Sequence, residues 1–245
     1  MQNLDSLLLK TKYKITSDQS DMFGRIRLGS FVNLFIKSAI ASSSKYGFGF
    51  DVLSKMNMTW MLGRLSAEIY KPVYWDDEIE IETWPKTVNG LLYIRDFVAK
   101  NSKDEIVSQG TTGWLAIDLA KKRIKSIDFI DDTYRMPYKS ALDYMPLKIK
   151  NYDVDDFYKI KAYFYDIDLN QHVTAIRYLD WMMDTFEIDF HKNNYPVAVH
   201  INYINEIKLG EIINLGKKEI NNNEYFFVAK NQTTSKEAFK AILKF

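Results

Sequence analysis

The stretch Asp168-Leu169-Asn170-Gln171-His172-Val173, with the long apolar segment after it from 174 to about 190, gives the fold away, because the chain contains it twice in outline. Near the start, Tyr13-Lys14-Ile15 leads to Asp21-Met22-Phe23-Gly24 and then to a segment from 30 to about 46. Past the midpoint, Tyr163-Phe164-Tyr165 leads to 168–172 and its own long segment. In both copies an Asp precedes an aromatic residue by ten positions, Asp21 to Phe31 and Asp168 to Tyr178. An internal repeat at this scale predicts one structural unit built twice.

Both long segments read as helices. Phe31, Leu34, Phe35 and Ala39 recur at helical spacing, and so do Val173, Ile176, Met183 and Phe186, with Tyr178, Trp181 and Met182 widening the apolar face. Helices that apolar must be substantially buried. Gly47 and Gly49 end the first. The segments after each helix read as strands. Glu78-Ile79-Glu80-Ile81-Glu82-Thr83-Trp84 alternates as a half-buried antiparallel strand does. Further strands are expected over 60–70, 91–99 and 114–119, then over 197–204, 211–217, 225–230 and 238–243, with Asn221-Asn222-Asn223 as a turn. Each half is then an entry strand, one buried helix and several antiparallel strands. That layout is an α+β tandem (double) hotdog fold, each half a curved antiparallel sheet around a central helix. The expected division is an N-terminal domain over 1–135, a linker over 136–149 carrying Pro137 and Pro146, and a C-terminal domain over 150–245.

Composition removes several classes of function. Of 245 residues 47% are hydrophobic and 15% aromatic, enough for a sizeable core. Lys plus Arg number 33 against 32 Asp plus Glu, so bulk charge predicts neither a nucleic-acid nor a membrane-surface binder. There is no cysteine, which excludes disulfides, thiolate metal sites and a Cys nucleophile. The apolar run at Leu7 to Leu9 is too short for a signal peptide, and no stretch approaches the ~20 apolar residues of a membrane span. A cytoplasmic protein is expected.

Asp168, Asn170 and His172 alternate immediately before a buried helix. In an extended turn that spacing puts three side chains on one side, with the His near free helix N–H groups suited to a developing negative charge. Attack on a thioester carbonyl creates such an oxyanion. Asn can orient a water or the carbonyl, and a carboxylate can fix the His or activate the water. Asp and Asn ahead of a helix are also ordinary caps, and for Asp168 both readings stand. The repeat provides a control, for the first copy has Asp21, Phe23 and Arg25 in the same frame. Caps would be needed equally in both copies, so the difference favours one reactive half. His191 and His200 read as structural, without ligand-like spacing. No metal site, phosphate loop or G-x-S-x-G elbow is present, and no cofactor is expected.

The chain resembles the acyl-acyl carrier protein thioesterases of plant plastids and many bacteria. Trp60-Met61-Leu62-Gly63-Arg64 resembles the family's W-x-L-x-R stretch, and Thr83-Trp84-Pro85 its TWP motif. Arg95-Asp96-Phe97 resembles RDF, and Trp114 to Asp118 the W-x-x-x-D strand. Asp168 to Val173 resembles D-x-N-x-H-V, with Tyr178 and Trp181 at the family's spacing. Asn202-Tyr203-Ile204-Asn205-Glu206 is similar to the segment ending in a catalytic Glu. The resemblance implies a thioester hydrolase with Asp168, Asn170, His172 and Glu206 as its catalytic set. Glu206, which alone would read as a surface carboxylate, becomes the expected general base for water. Ile207 stands where plant members often carry Cys, so a cysteine-nucleophile scheme has no atom to use. The implied substrate is a fatty acyl chain on acyl carrier protein, held in an apolar pocket of the first half, and the acidic carrier implies a local basic patch. Free fatty acid is the expected product, ending fatty acid synthesis. An acyl-CoA thioesterase, a non-catalytic acyl-thioester sensor and a dehydratase of the same fold are the alternatives, and a homodimer of the whole chain is compatible with each.

Overall fold

The structure is a computed structural model that describes residues 7–245; the first six residues of the expected N-terminal domain lie outside the described residues. The elements in chain order are β1 (Leu9–Lys14), α1 (Leu28–Lys45), α2 (Phe50–Lys55), β2 (Met58–Ile69), β3 (Glu78–Asn89), β4 (Leu92–Asn101), β5 (Ile106–Asp118) and β6 (Arg123–Ile124). They continue as β7 (Asp156–Lys161), α3 (Ala175–Met183), α4 (Ile188–Asn193), β8 (Ala198–Tyr203), β9 (Ile212–Asn221), β10 (Glu224–Asn231) and β11 (Glu237–Lys244). The strands form one antiparallel sheet in the order β1-β3-β4-β5-β2-β8-β11-β10-β9-β7, with the short β6 attached to β5. Read from either edge the topology is the same: entry strand, then the third, fourth, fifth and second strands of each half. The halves meet where β2 pairs with β8, Leu65 opposite Ile201 and Ala67 opposite Val199. This is a tandem hotdog fold.

The apolar alternation of β3 does what its spacing predicts, burying Ile79 and Ile81. They face α1, whose Phe31, Val32, Leu34, Phe35 and Ala39 are buried in the core shared by both halves. Phe35 stacks on Phe97 of β4 at 4.8 Å. Truncating either ring would cost about 3–5 kcal/mol. The two central helices cross closely at Gly29, where a Cβ would come within 2.5 Å of Asp180 Oδ1 and 3.0 Å of the Ile176 carbonyl.

Two expectations need correction. The second long segment is not one helix over 174–190. It breaks after Met183, where Thr185 donates both its N–H (3.2 Å) and its hydroxyl (2.8 Å) to the Met182 carbonyl. Phe186 then turns into an aromatic cluster, stacked on Phe190 at 4.6 Å and edge-on to Tyr225 and Phe245. Nor does Tyr163-Phe164-Tyr165 match Tyr13-Lys14-Ile15 in the repeat, for the second entry strand is β7, and a 3-10 turn over Phe164–Asp166 comes after it. The Asp166 carboxylate accepts from the Tyr163 N–H at 2.8 Å and fixes that turn. With the register set by the structure, one constant offset brings Lys14 onto Lys161, Asp21 onto Asp168 and Leu28 onto Ala175.

The stretch 136–149 contains neither helix nor strand, yet it is strapped to the sheet. Met136 N–H donates to the Pro85 carbonyl at 2.8 Å, and Trp84 Nε1 to the Lys139 carbonyl at 3.1 Å. The buried Asp96 carboxylate holds the Ala141 N–H at 2.8 Å and the Lys86 ammonium at 3.1 Å. Further on, Asn202 of β8 accepts from Ile149 N–H and donates to the Leu147 carbonyl. These bonds satisfy backbone groups that a loop lying over a sheet would otherwise bury unpaired.

Candidate active site

The turn 168–172 is built from its own backbone. Asp168 N–H donates to the His172 carbonyl at 2.8 Å, and Gln171 N–H to the Asp168 carbonyl at 3.0 Å. Asp168 Oδ1 accepts the N–H of Asn170 at 2.8 Å and that of His172 at 3.4 Å. Closing the turn needs Gln171 at φ 66°, the left-handed region. The first copy repeats each of these features. Asp21 N–H donates to the Arg25 carbonyl, Asp21 Oδ1 accepts from Phe23 and Arg25, and Gly24 takes the left-handed position at φ 77°. Asp168 is therefore not a helix cap, since Thr174 occupies that position before α3. Its carboxylate organises a turn, as Asp21 does.

The turns differ in the side chains they present. The Asn170 side chain is exposed, and its Nδ2 lies 3.5 Å from Asp168 Oδ2. The half-buried His172 points Nε2 at Glu206 Oε2, 2.8 Å away. Glu206 reaches this contact from the segment after β8, anchored by the buried Ile207, whose carbonyl accepts the Val173 N–H at 2.8 Å. All four sequence-predicted residues thus meet at one place. Next to them α3 begins, and the N–H groups of Ala175 and Ile176 find no acceptor among the described residues. Tyr178, one turn further on, stacks on Phe239 at 4.7 Å. Burial, with the charges of Asp168 and Glu206 nearby, pushes its hydroxyl well above the usual phenol range, so it stays protonated.

A cavity of about 1280 Å³ opens at this turn and runs into the first half. Asp168, Asn170, His172, Ala175, Tyr178 and Glu206 line one end. Ile36, Ala39 and Ile40 of α1, Phe48, Trp60, Leu62, Tyr93 and Trp114 line the rest. Trp60 and Trp114 stand in the sequence only as landmarks of the family resemblance, and nothing there marks them, or Tyr93, as cavity wall. The i, i+3, i+4 spacing of Ile36, Ala39 and Ile40 was the available signal, but a core face and a cavity face share it. Arg95 also borders the cavity. Its guanidinium donates to Ser42 Oγ at 2.9 Å and Thr83 Oγ1 at 3.2 Å, and burial holds it down to about 9.

In the first copy the corresponding turn is closed. Arg25, at the position of His172, donates to Asp21, to the His191 carbonyl at 2.9 Å and to the Asn194 carbonyl at 3.0 Å. Its guanidinium lies over the rings of Phe23 and Tyr195. That turn is plugged against the C-terminal end of α4, while its counterpart opens on the cavity. His191 Nε2 meets the Met183 carbonyl at 3.0 Å, so this ring serves the helix pair. His200, on β8, lies 6.2 Å from the Tyr144 ring. Among the described residues no group of three His, Cys, Asp or Glu could hold a metal ion. No helix among them is long and apolar enough to cross a membrane.

Comparison with known proteins gives one consistent result. The model of the acyl-ACP thioesterase N-terminal domain matches residues 6–138, and that of the C-terminal domain matches residues 149–244. The oleoyl-acyl carrier protein thioesterase 2 of Arabidopsis thaliana is 22% identical over 229 residues, which cover 85% of this chain and 62% of that protein. The dodecanoyl-[acyl-carrier-protein] hydrolase of Cinnamomum camphora is 23% identical over 180 residues, 68% of this chain and 46% of that protein. The chain therefore spans less than two thirds of the length of these curated relatives. Among solved structures, an acyl-ACP thioesterase from Bacteroides thetaiotaomicron superimposes with a TM-score of 0.93 at 21% identity, covering 99% of both chains. The 12:0-ACP thioesterase from Umbellularia californica gives 0.81 at 17% identity, covering 98% of this chain and 97% of that one. At such identities these likenesses establish the shared fold.

Proposed function

Because the chain belongs to the acyl-ACP thioesterase family, we propose that it hydrolyses a fatty acyl thioester carried on acyl carrier protein, releasing a free fatty acid and the carrier thiol. One observation carries this reading: the 2.8 Å contact between His172 and Glu206 lies at the mouth of a large, mostly apolar cavity. An apolar cavity takes an alkyl chain, and a polar group set at its rim takes the carbonyl. In this reading 1–135 holds the acyl chain and is catalytically silent, 150–245 does the chemistry, and 136–149 joins them.

In the proposed mechanism Glu206 takes a proton from water as the water oxygen attacks the thioester carbonyl. The resulting oxyanion is met by the Asn170 amide and the N–H groups that open α3. His172, hydrogen-bonded to Glu206, passes the proton to the departing sulfur as the C–S bond breaks, so atoms and charge balance. Asp168 belongs to the set as a positioning residue, holding Asn170 and His172 through their backbone. No step needs a cofactor, a metal or a cysteine. A cytoplasmic location is part of the same reading.

The test is thiol release from matched acyl-carrier and acyl-CoA substrates by the wild type, Asn170→Ala and Glu206→Ala. Carrier substrate should be preferred, and both variants should lose turnover. Preference for CoA would replace the carrier assignment, and binding without thiol release would make the protein a sensor.

A further inference from the structure

Beside the cavity mouth the surface becomes apolar. Phe164 is 73% exposed, Tyr165 93%, Leu169 103% and Leu209 57%. Single exposed apolar side chains are ordinary, but a contiguous group is not. Phe164, Tyr165 and Leu209 line one shallow hollow together with Ile167, Asp168, Gln171 and Lys208, and this hollow shares Asp168 and Lys208 with the main cavity. The Phe164 and Tyr165 rings pack edge-on to each other at 5.5 Å. Their turn is rigid, because the buried Asp166 within it accepts from Arg177 Nε at 2.7 Å.

The repeat again provides a control. The first copy makes the same 3-10 turn from Ser17-Asp18-Gln19. Ser17 and Asp18 stand where the second copy has Phe164 and Tyr165. Folding of the turn therefore does not require aromatic side chains there. Lysines with free ammonium groups border the patch. Lys161, whose ammonium lies 5.7 Å from the Tyr163 ring, Lys208 and Lys236 form no ion pair among the described residues. The nearby carboxylates already have partners within the protein, Glu206 in His172, Glu211 in Asn231 and the Lys208 N–H, and Asp168 in its turn, whereas the three ammonium groups have no ion partner among the described residues.

We propose that this surface, an apolar centre of Phe164, Tyr165, Leu169 and Leu209 rimmed by Lys161, Lys208 and Lys236, docks the carrier protein that presents the thioester. The inference rests on the function proposed above. The occupant it fits is a small acidic protein showing apolar side chains among carboxylates. The lysines attract such a surface, and the apolar centre holds it. Docking here sets the carrier beside the mouth, so its flexible arm enters next to Asn170 and Glu206.

The experiment uses Phe164→Ser with Tyr165→Asp, the pair that the first copy's turn already tolerates, and separately Lys161→Glu. Each is assayed on an acyl-carrier protein and on the same acyl group as a small N-acetylcysteamine thioester. The expected result is a rise of about tenfold or more in KM for the carrier substrate, little change in kcat, and unchanged hydrolysis of the small thioester. Equal loss on both substrates, or no loss on either, overturns the docking assignment while leaving the hydrolase reading intact. So does sedimentation showing a wild-type dimer that the double variant dissociates, because a second copy would then cover the patch. A wild type that cleaves neither substrate fails at the function itself, and the docking proposal falls with it.

Discussion

His172 and Glu206 come from segments on opposite sides of β8, yet Nε2 of one lies 2.8 Å from Oε2 of the other. Glu206 is largely exposed and His172 partly so, and removing either leaves the core untouched. Glu206→Gln and His172→Ala should each lower kcat by about 10²–10⁴, the usual span for lost general acid–base assistance. Thermal melting should stay near wild type. Wild-type turnover in Glu206→Gln would remove it as the base.

Asp21 and Asp168 hold equivalent turns, so they separate structure from chemistry. Asp168→Ala should cost about 1 kcal/mol of stability and also lower kcat, because Asn170 and His172 lose their backbone anchor. Asp21→Ala should cost about 1–3 kcal/mol, since it leaves the largely buried Arg25 without its carboxylate, and kcat should be spared. Denaturant unfolding alongside turnover assays decides the matter. A kcat loss in Asp21→Ala equal to that in Asp168→Ala would contradict it.

Gly24 and Gln171 occupy one left-handed position in the two copies. Gly24→Ala should destabilise by about 1–2 kcal/mol, the cost of a Cβ in that conformation. Gln171→Gly should be close to neutral, since relief of that strain is offset by the wider freedom of glycine in the unfolded chain. Both values come from urea midpoints.

Filling the cavity should change which acids are released. Ile36 lines it from α1, and Ile36→Trp should shift the product spectrum toward shorter chains, as read by mass spectrometry of the liberated fatty acids. An unchanged spectrum would place the chain elsewhere.

His200 carries a pH signature. Burial holds its imidazole below the ordinary 6.5, against a smaller opposing pull from Glu68, and Nδ1 has no partner. The unfolded chain therefore binds the proton more readily than the folded one. Stability should fall as pH drops below 6.5 toward the lower folded value, and His200→Phe should flatten that part of the curve. An unaltered slope in the variant would assign the effect to other groups.

The repeat made much of this molecule legible before any coordinates. Paired Asp residues, helical spacing and the alternation of β3 led to the two halves, and the frame set Arg25 against His172. The chemistry of Asn170 and His172 was readable because polar groups differed where the backbone did not. Glu206 was not readable that way, since a strand-end carboxylate has no local mark and its partner is distant in sequence. The break after Met183 was hidden because Phe186 keeps helical spacing while packing into a different cluster. Tyr163-Phe164-Tyr165 was set against Tyr13-Lys14-Ile15 on residue type, but the frame of the two turns sets Ile160 against Tyr13, and Phe164 and Tyr165 are exposed. The cavity depends on which apolar faces fail to touch, and no one-dimensional pattern records that.

The seam between β2 and β8 joins in one polypeptide what a symmetric pair would assemble from two. In a symmetric pair every change appears twice, so a residue that seals one entrance seals both. Covalent union frees the copies to drift apart. Here Arg25 bolts the turn of the first copy while His172 leaves that of the second open on the cavity, so two matching entrances differ by one side chain.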